Sequence, residues 1–116
     1  MFIKESIVSI SHHVMQPDVH LLKLNRPLSG RWAREVEQAF ADIFNRGARR
    51  VVLNLEDVPF IDGHGLSVLV AGSKIFKNGV QNLHLVAPQE QPRLLFELTG
   101  FDKIFSIVDS PAAIDA

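Results

Sequence analysis

Cysteine is absent from the chain, which excludes disulfides, thiolate metal ligands and a cysteine nucleophile and suits a reducing compartment such as the cytoplasm. A charge excess is also lacking, since 12 Lys and Arg stand against 13 Asp and Glu. Without a net field there is little to draw in a nucleic-acid backbone or an anionic membrane surface, so neither is expected as a partner. Long apolar runs are missing too. The stretch Met1 to Ile10 is broken by Lys4 and Glu5 and reads as neither a signal-peptide core nor a membrane span. Repeats, low-complexity tracts and composition shifts do not occur. What is present is a 116-residue chain with 47% hydrophobic residues, enough for one core, and residues 1–116 are read as a single domain.

Partial alternation from Ser6 to His12 and from Val19 to Leu24, with Gln16-Pro17-Asp18 between them, predicts an opening β-hairpin. Beyond Pro27, Ser29 is placed to cap a helix whose Trp32, Val36, Ala39, Phe40, Ile43 and Phe44 recur at helical spacing until Gly47. Val51-Val52-Leu53-Asn54-Leu55 has the length and composition of an inner strand. A loop runs from Glu56 to Gly63, and helix formers return from His64 to about Lys77, where Asn78-Gly79 ends them. Leu83 to Val86 predicts another inner strand, Gln89 to Leu98 a third helix stopped by Gly100, and Ile104 to Val108 an edge strand before the tail from Ser110 to Ala116. The order ββαβαβαβ(α) implies an α/β fold, one mixed sheet with helices packed mainly on one face, because parallel neighbours need helix-length crossovers.

Chemistry is densest where the inner strand leads through Val58-Pro59-Phe60-Ile61-Asp62-Gly63-His64-Gly65-Leu66 into a helix. Asp62 is placed to accept a hydrogen bond from an N–H two or three residues on, and its charge suits the positive end of the helix dipole. Gly63 and Gly65 permit unusual backbone angles and leave the helix start open to a phosphate or a protein. The plainer alternative is a cap and a tight turn with no further role. On the helix itself, Leu66, Leu69, Val70, Ser73 and Phe76 form one face, and Val68, Ala71, Gly72 and Ile75 form a second of small apolar residues. If exposed, that second face is a docking patch beside the helix start; periodicity does not distinguish this from deeper burial.

Val51-Val52-Leu53-Asn54-Leu55, Val58-Pro59-Phe60-Ile61-Asp62, Gly65-Leu66 and Leu69-Val70 together resemble the central signature of STAS domains. The similarity continues through Asn78-Gly79, Leu83 to Val86, Leu95 to Phe101 and Ile104-Phe105, covering roughly Asp18 to Ala112. The resemblance to bacterial anti-sigma-factor antagonists implies a cytoplasmic, non-enzymatic binding module without cofactor or metal. Its expected partner is an anti-sigma factor with serine-kinase activity or a serine phosphatase, and a homodimer is compatible with it.

In those relatives the residue after the loop aspartate is a serine or threonine whose phosphorylation breaks the complex, as about −1.5 to −2 charges disrupt a docked apolar interface. Here Gly63 stands at that position and cannot carry phosphate, and His64 follows. Three readings stay open: a constitutive binder, a phosphosite moved to Ser67 or Ser73 with Ser67 the better placed, or a role for His64 as a pH-sensitive contact or a phosphohistidine. The docking loop and face implied by the resemblance comprise Asp62, Gly63, His64, Gly65, Ser67, Val68, Ala71, Gly72 and Ile75.

Two rivals compete with this reading. Similar STAS subunits dock on the ATPase of bacterial lipid or solute ABC transporters, through the same face. The segment His20 to Pro27 resembles the opening of crotonase-like acyl-CoA enzymes, but the later motifs follow the STAS order. No Ser/His/Asp arrangement, phosphate-cradling loop or paired carboxylate is evident. His12, His13, His20 and His84 read as surface or edge residues, Trp32 as core, and Arg46, Arg49 and Arg50 as a complement to a helix C-terminus or a solvated edge.

Overall fold

The structure is a computed structural model and describes residues 9–110. The opening hairpin pairs β1 (Ile10–Gln16) with β2 (Val19–Leu24), antiparallel. The expected first strand began at Ser6, and residues 6–8 of it lie outside the described residues. At its other end the strand runs past His12 to Gln16, because only Pro17 and Asp18 form the turn and Gln16 pairs directly with Val19. A register shift between Val14 and Gln16 marks a bulge.

Helix α1 (Ala33–Asn45), β3 (Arg50–Asn54), α2 (Gly63–Ile75), β6 (Leu83–Val86), α3 (Glu90–Thr99) and β7 (Ser106–Val108) follow in order. Between α2 and β6 the chain forms a small separate hairpin, β4 (Lys77–Asn78) and β5 (Val80–Gln81), turning at Gly79 with φ 79°. The sequence pattern carried the helix to about Lys77 with a break at Asn78-Gly79, whereas α2 ends at Ile75 and Lys77 already belongs to β4. The final strand starts two residues later than expected because Phe101–Lys103 forms a 3₁₀ turn that carries the chain across to the sheet. Residues 111–116 of the anticipated tail lie outside the described residues.

The five-stranded sheet has the order β1-β2-β3-β6-β7, and every pairing beyond the hairpin is parallel. Alternation along β3 sends Val51 and Leu53 to one face and Val52 to the other. The first face joins Leu22, Leu24, Leu83 and Leu85 to Val36 and Phe40 of α1, Leu69 of α2 and Phe96 of α3. The second packs Val52 and Val86 with Leu21, Ala87 and Val108, none of them helical. Helices therefore cover one face, as the element order implied. Arg49 donates to the Phe44 and Ala48 carbonyls near the end of α1, which is the helix-end role anticipated for that cluster.

Two expectations need correction. Ser29 makes no side-chain cap; the N–H of Gly30, first residue of the 3₁₀ turn that leads into α1, is taken instead by Asp62 from across the fold. His20 is not a surface histidine but is 3% exposed, its Nδ1 2.8 Å from His12 Nε2. His84 is half-buried, accepting from Arg50 at 2.9 Å and contacting Ser106 Oγ at 2.8 Å. Burial and the Arg50 charge both lower its pKa.

Candidate functional site

The strand-to-helix connection after β3 is held from three sides. Asn54 turns the chain by accepting from the Glu56 N–H at 2.9 Å, and Lys23 on β2 binds Glu56 at 2.7 Å and Asp57 at 3.4 Å. Residues 60–62 then run as an extended rung between two neighbours. On one side Leu28 N–H donates to the Phe60 carbonyl at 3.0 Å and the Asp62 N–H donates to the Leu28 carbonyl at 3.3 Å. On the other side the Gln91 amide, from α3, accepts from the Ile61 N–H at 2.9 Å and donates to the Ile61 carbonyl at 3.1 Å. That side chain replaces a missing strand partner. Nothing in the local sequence signals the Leu28 and Gln91 contacts, because both partners are remote in the chain.

Ile61 is 1% exposed, so alternation turns Phe60 and Asp62 outward on either side of it. Asp62 caps α2 as the sequence predicted: its Oδ1 accepts from the Gly65 N–H at 2.9 Å. Its Oδ2 also accepts from the Gly30 N–H at 3.0 Å and lies 3.4 Å from His64 Nδ1. One carboxylate thus ties together the starts of α1 and α2. The Gly65 hydrogen bond, followed by those from Gly30 and His64, outweighs partial burial and lowers the Asp62 pKa. The stabilisation is therefore complete above the unfolded-state pKa and is lost as pH falls through the lower folded value. Asp62→Ala is expected to cost about 1 kcal/mol near pH 7, the usual worth of an N-cap in a partly solvated setting. Chemical denaturation across pH should show the gap to wild type closing below roughly pH 4.

Between the starts of α1 and α2 lies an open cleft of about 1140 Å³, bordered by Arg31, Arg34, Glu37, Asp62, His64 and Ser67. Gly63, His64 and Ser67 are exposed along its α2 side, and the His64 ring is 77% exposed. The surface stripe of α2 continues through half-buried Ala71 to exposed Lys74, with Ile75 also half-buried. Val68 and Gly72, expected on an exposed docking face, are buried instead. Packing of α1 against α2 decides this: a Cβ on Gly72 would sit 2.5 Å from Phe40 Cε2. Ser73 is 4% exposed and donates to the Val70 carbonyl at 2.7 Å, out of reach of a modifying enzyme, whereas Ser67 is accessible.

The two loop glycines differ in their surroundings, and neither has a positive φ. A side chain on Gly65 would strike the Leu28 carbonyl, with Leu28 Cγ at 2.9 Å and Ile61 Cγ2 at 3.0 Å. At Gly63 an added Cβ meets nothing within 4 Å. Position 63 therefore has room for a side chain, and a serine there would fit the fold.

Among the described residues no three His, Cys, Asp or Glu side chains gather where a metal ion would be held, and no helix is long and apolar enough to cross a membrane.

Comparison with known proteins places this fold among relatives. A Bordetella bronchiseptica protein, BtrV, described as an anti-sigma factor antagonist, is 32% identical over 84 residues, covering 72% of each chain. The crystal structure of a Thermotoga maritima protein described in the same terms superposes with a TM-score of 0.83 at 27% identity, covering 90% of each chain. The unphosphorylated anti-sigma factor antagonist SpoIIAA shares the fold with a TM-score of 0.76 at 16% identity, covering 91% of this chain and 93% of its own. A family profile described as STAS domain matches residues 13–114. The chain belongs to the STAS domain family.

Proposed function

We propose that this chain is a non-enzymatic, cytoplasmic partner-switching module of the anti-sigma factor antagonist type, docking through the α2 start, with Gly63 leaving it permanently in the binding-competent state. The observation that carries the reading is position 63 itself. It lies at the exposed start of α2, directly after the capping Asp62, with open space where a side chain would project. A phosphoacceptor would fit there, and none is present. The docking surface comprises Asp62, Gly63, His64, Ser67, Ala71 and the exposed edge of Ile75; Gly65, Val68 and Gly72 support it from beneath. Ser67 is the accessible hydroxyl one turn further on, open to modification within the same cleft.

The names of the relatives, anti-sigma factor antagonists, support an anti-sigma factor as the partner rather than a transporter ATPase; a serine phosphatase is the second candidate. Gly63→Glu is expected to lower affinity for that partner at least tenfold, about 1.4 kcal/mol, while the melting temperature stays within a few degrees of wild type. Affinity capture from host lysate with wild type and Gly63→Glu in parallel, followed by titration of the proteins lost in the variant, checks this. Retention of an anti-sigma factor or serine phosphatase by wild type alone supports the reading. Recovery of a transporter ATPase moves the protein to the transport branch, and identical capture by both chains sinks docking at position 63.

A further inference from the structure

A second surface, distinct from the α2 stripe, lies where the Asp62 rung meets α3. The Gln91 amide clamps Ile61, which brings one side of α3 against the extended rung whose Phe60 ring is 45% exposed. Gln91, Leu94 and Leu98 fall on one side of α3 by helical spacing. Leu94 is 50% exposed and Leu98 76%. Exposed apolar side chains thus stand on the rung at Phe60 and on the second half of α3 at Leu94 and Leu98, although large apolar side chains in water favour neither the helix nor the rung.

The α3 residues that border Leu94 and Leu98 by helical spacing are acidic. Glu90 and Glu97 are exposed on the same side of α3, and neither belongs to an ion pair among the described residues. Arg93 is turned away toward Asp109, 3.0 Å from its carboxylate. Lys23 is occupied by Glu56 and Asp57. Lys103 lies past the end of α3 and 4.0 Å from Asp102.

We propose that Phe60, Leu94 and Leu98 form a docking surface for a basic amphipathic helix of a partner protein, with its Lys or Arg residues meeting Glu90 and Glu97. The acidic border selects this occupant. It would repel an anionic lipid surface, and it would repel a second copy of the same surface by placing like charges opposite each other. A helix with an apolar face of i, i+3 and i+4 spacing can lay that face on Phe60, Leu94 and Leu98. The surface does not rest on docking at position 63, and the two are separable by experiment.

The test titrates isotope-labelled full-length protein with a 14-residue Leu/Lys amphipathic peptide and, separately, with its Leu/Glu counterpart, following amide shifts by NMR. Expected are shifts at Phe60, Gln91, Leu94 and Leu98 with the Leu/Lys peptide, at least tenfold weaker binding of the Leu/Glu peptide, and weakening with salt. The double variant Leu94→Ser, Leu98→Ser, whose changes are in exposed side chains, should lose the response and keep its fold. Equal binding of both peptides, an unaltered response in the double variant, or shifts confined to His64, Ser67 and Lys74 would overturn the proposal. So would absence of binding at millimolar peptide, or binding of the free protein to anionic vesicles through Leu94 and Leu98.

Discussion

Gly65→Ala is expected to lower stability by about 3 kcal/mol, the upper part of the usual range for overpacking, and the melting temperature by roughly 10–15 °C. The added methyl has no escape. It would strike the Leu28 carbonyl, which is backbone, with Leu28 Cγ and Ile61 Cγ2 at 2.9 and 3.0 Å. Leu28 is itself pinned to the rung through Phe60 and Asp62, so relief requires moving the α2 start off the bridge it rests on. Gly63→Ala, two residues away, meets nothing within 4 Å and should change stability by less than about 1 kcal/mol, with a gain favoured by helix propensity. Differential scanning calorimetry of the two variants separates close packing from mere flexibility at this turn. Equal melting temperatures would show that α2 does not press on Leu28 as described.

Val68→Asp should be more damaging still, costing about 4 kcal/mol near pH 7 and leaving the chain close to unfolding. Val68 is 6% exposed and belongs to the main core cluster, so a carboxylate there exchanges apolar contact for a poorly hydrated charge. Burial raises the pKa of such a group above its unfolded value, and the charge-related part of the penalty is present at high pH and shrinks as pH falls through the folded pKa. Circular dichroism against denaturant at pH 7 and pH 5 checks both the size and the sign. A charge at this position therefore reports on the core. Loss of partner binding by Val68→Asp would not identify a docking face, whereas the same loss by Gly63→Glu would.

The difference between these two positions shows what a linear pattern conveys. Asp62 was legible as a cap because its partner, the Gly65 N–H, is three residues away, and caps are local chemistry. The inner strand read at Val51 to Leu55 and found at Arg50–Asn54, and the helix ends at Gly47 and Gly100, were legible for the same reason. Val68 and Gly72 were placed on a candidate surface because helical spacing defines faces but not which of two apolar faces a neighbour covers. Only the approach of Phe40 on α1 to Gly72 settles that. Likewise His20 looked like an edge residue in an alternating strand, and its burial depends on how the hairpin is laid over the core.

Composition, periodicity and turn residues by themselves pointed to an α/β domain with an Asp-capped helix following an inner strand. These features depend on contacts within a few residues or on the repeat of helix and strand. The tertiary structure alone decided that Gly65 is needed for close packing while Gly63 faces open solvent, that Asp62 also holds Gly30, and that Gln91 clamps the rung beneath Phe60. The Gly30 and Gln91 contacts join residues 32 and 30 positions apart, and such pairs come into contact only when the sheet order and helix packing bring them together.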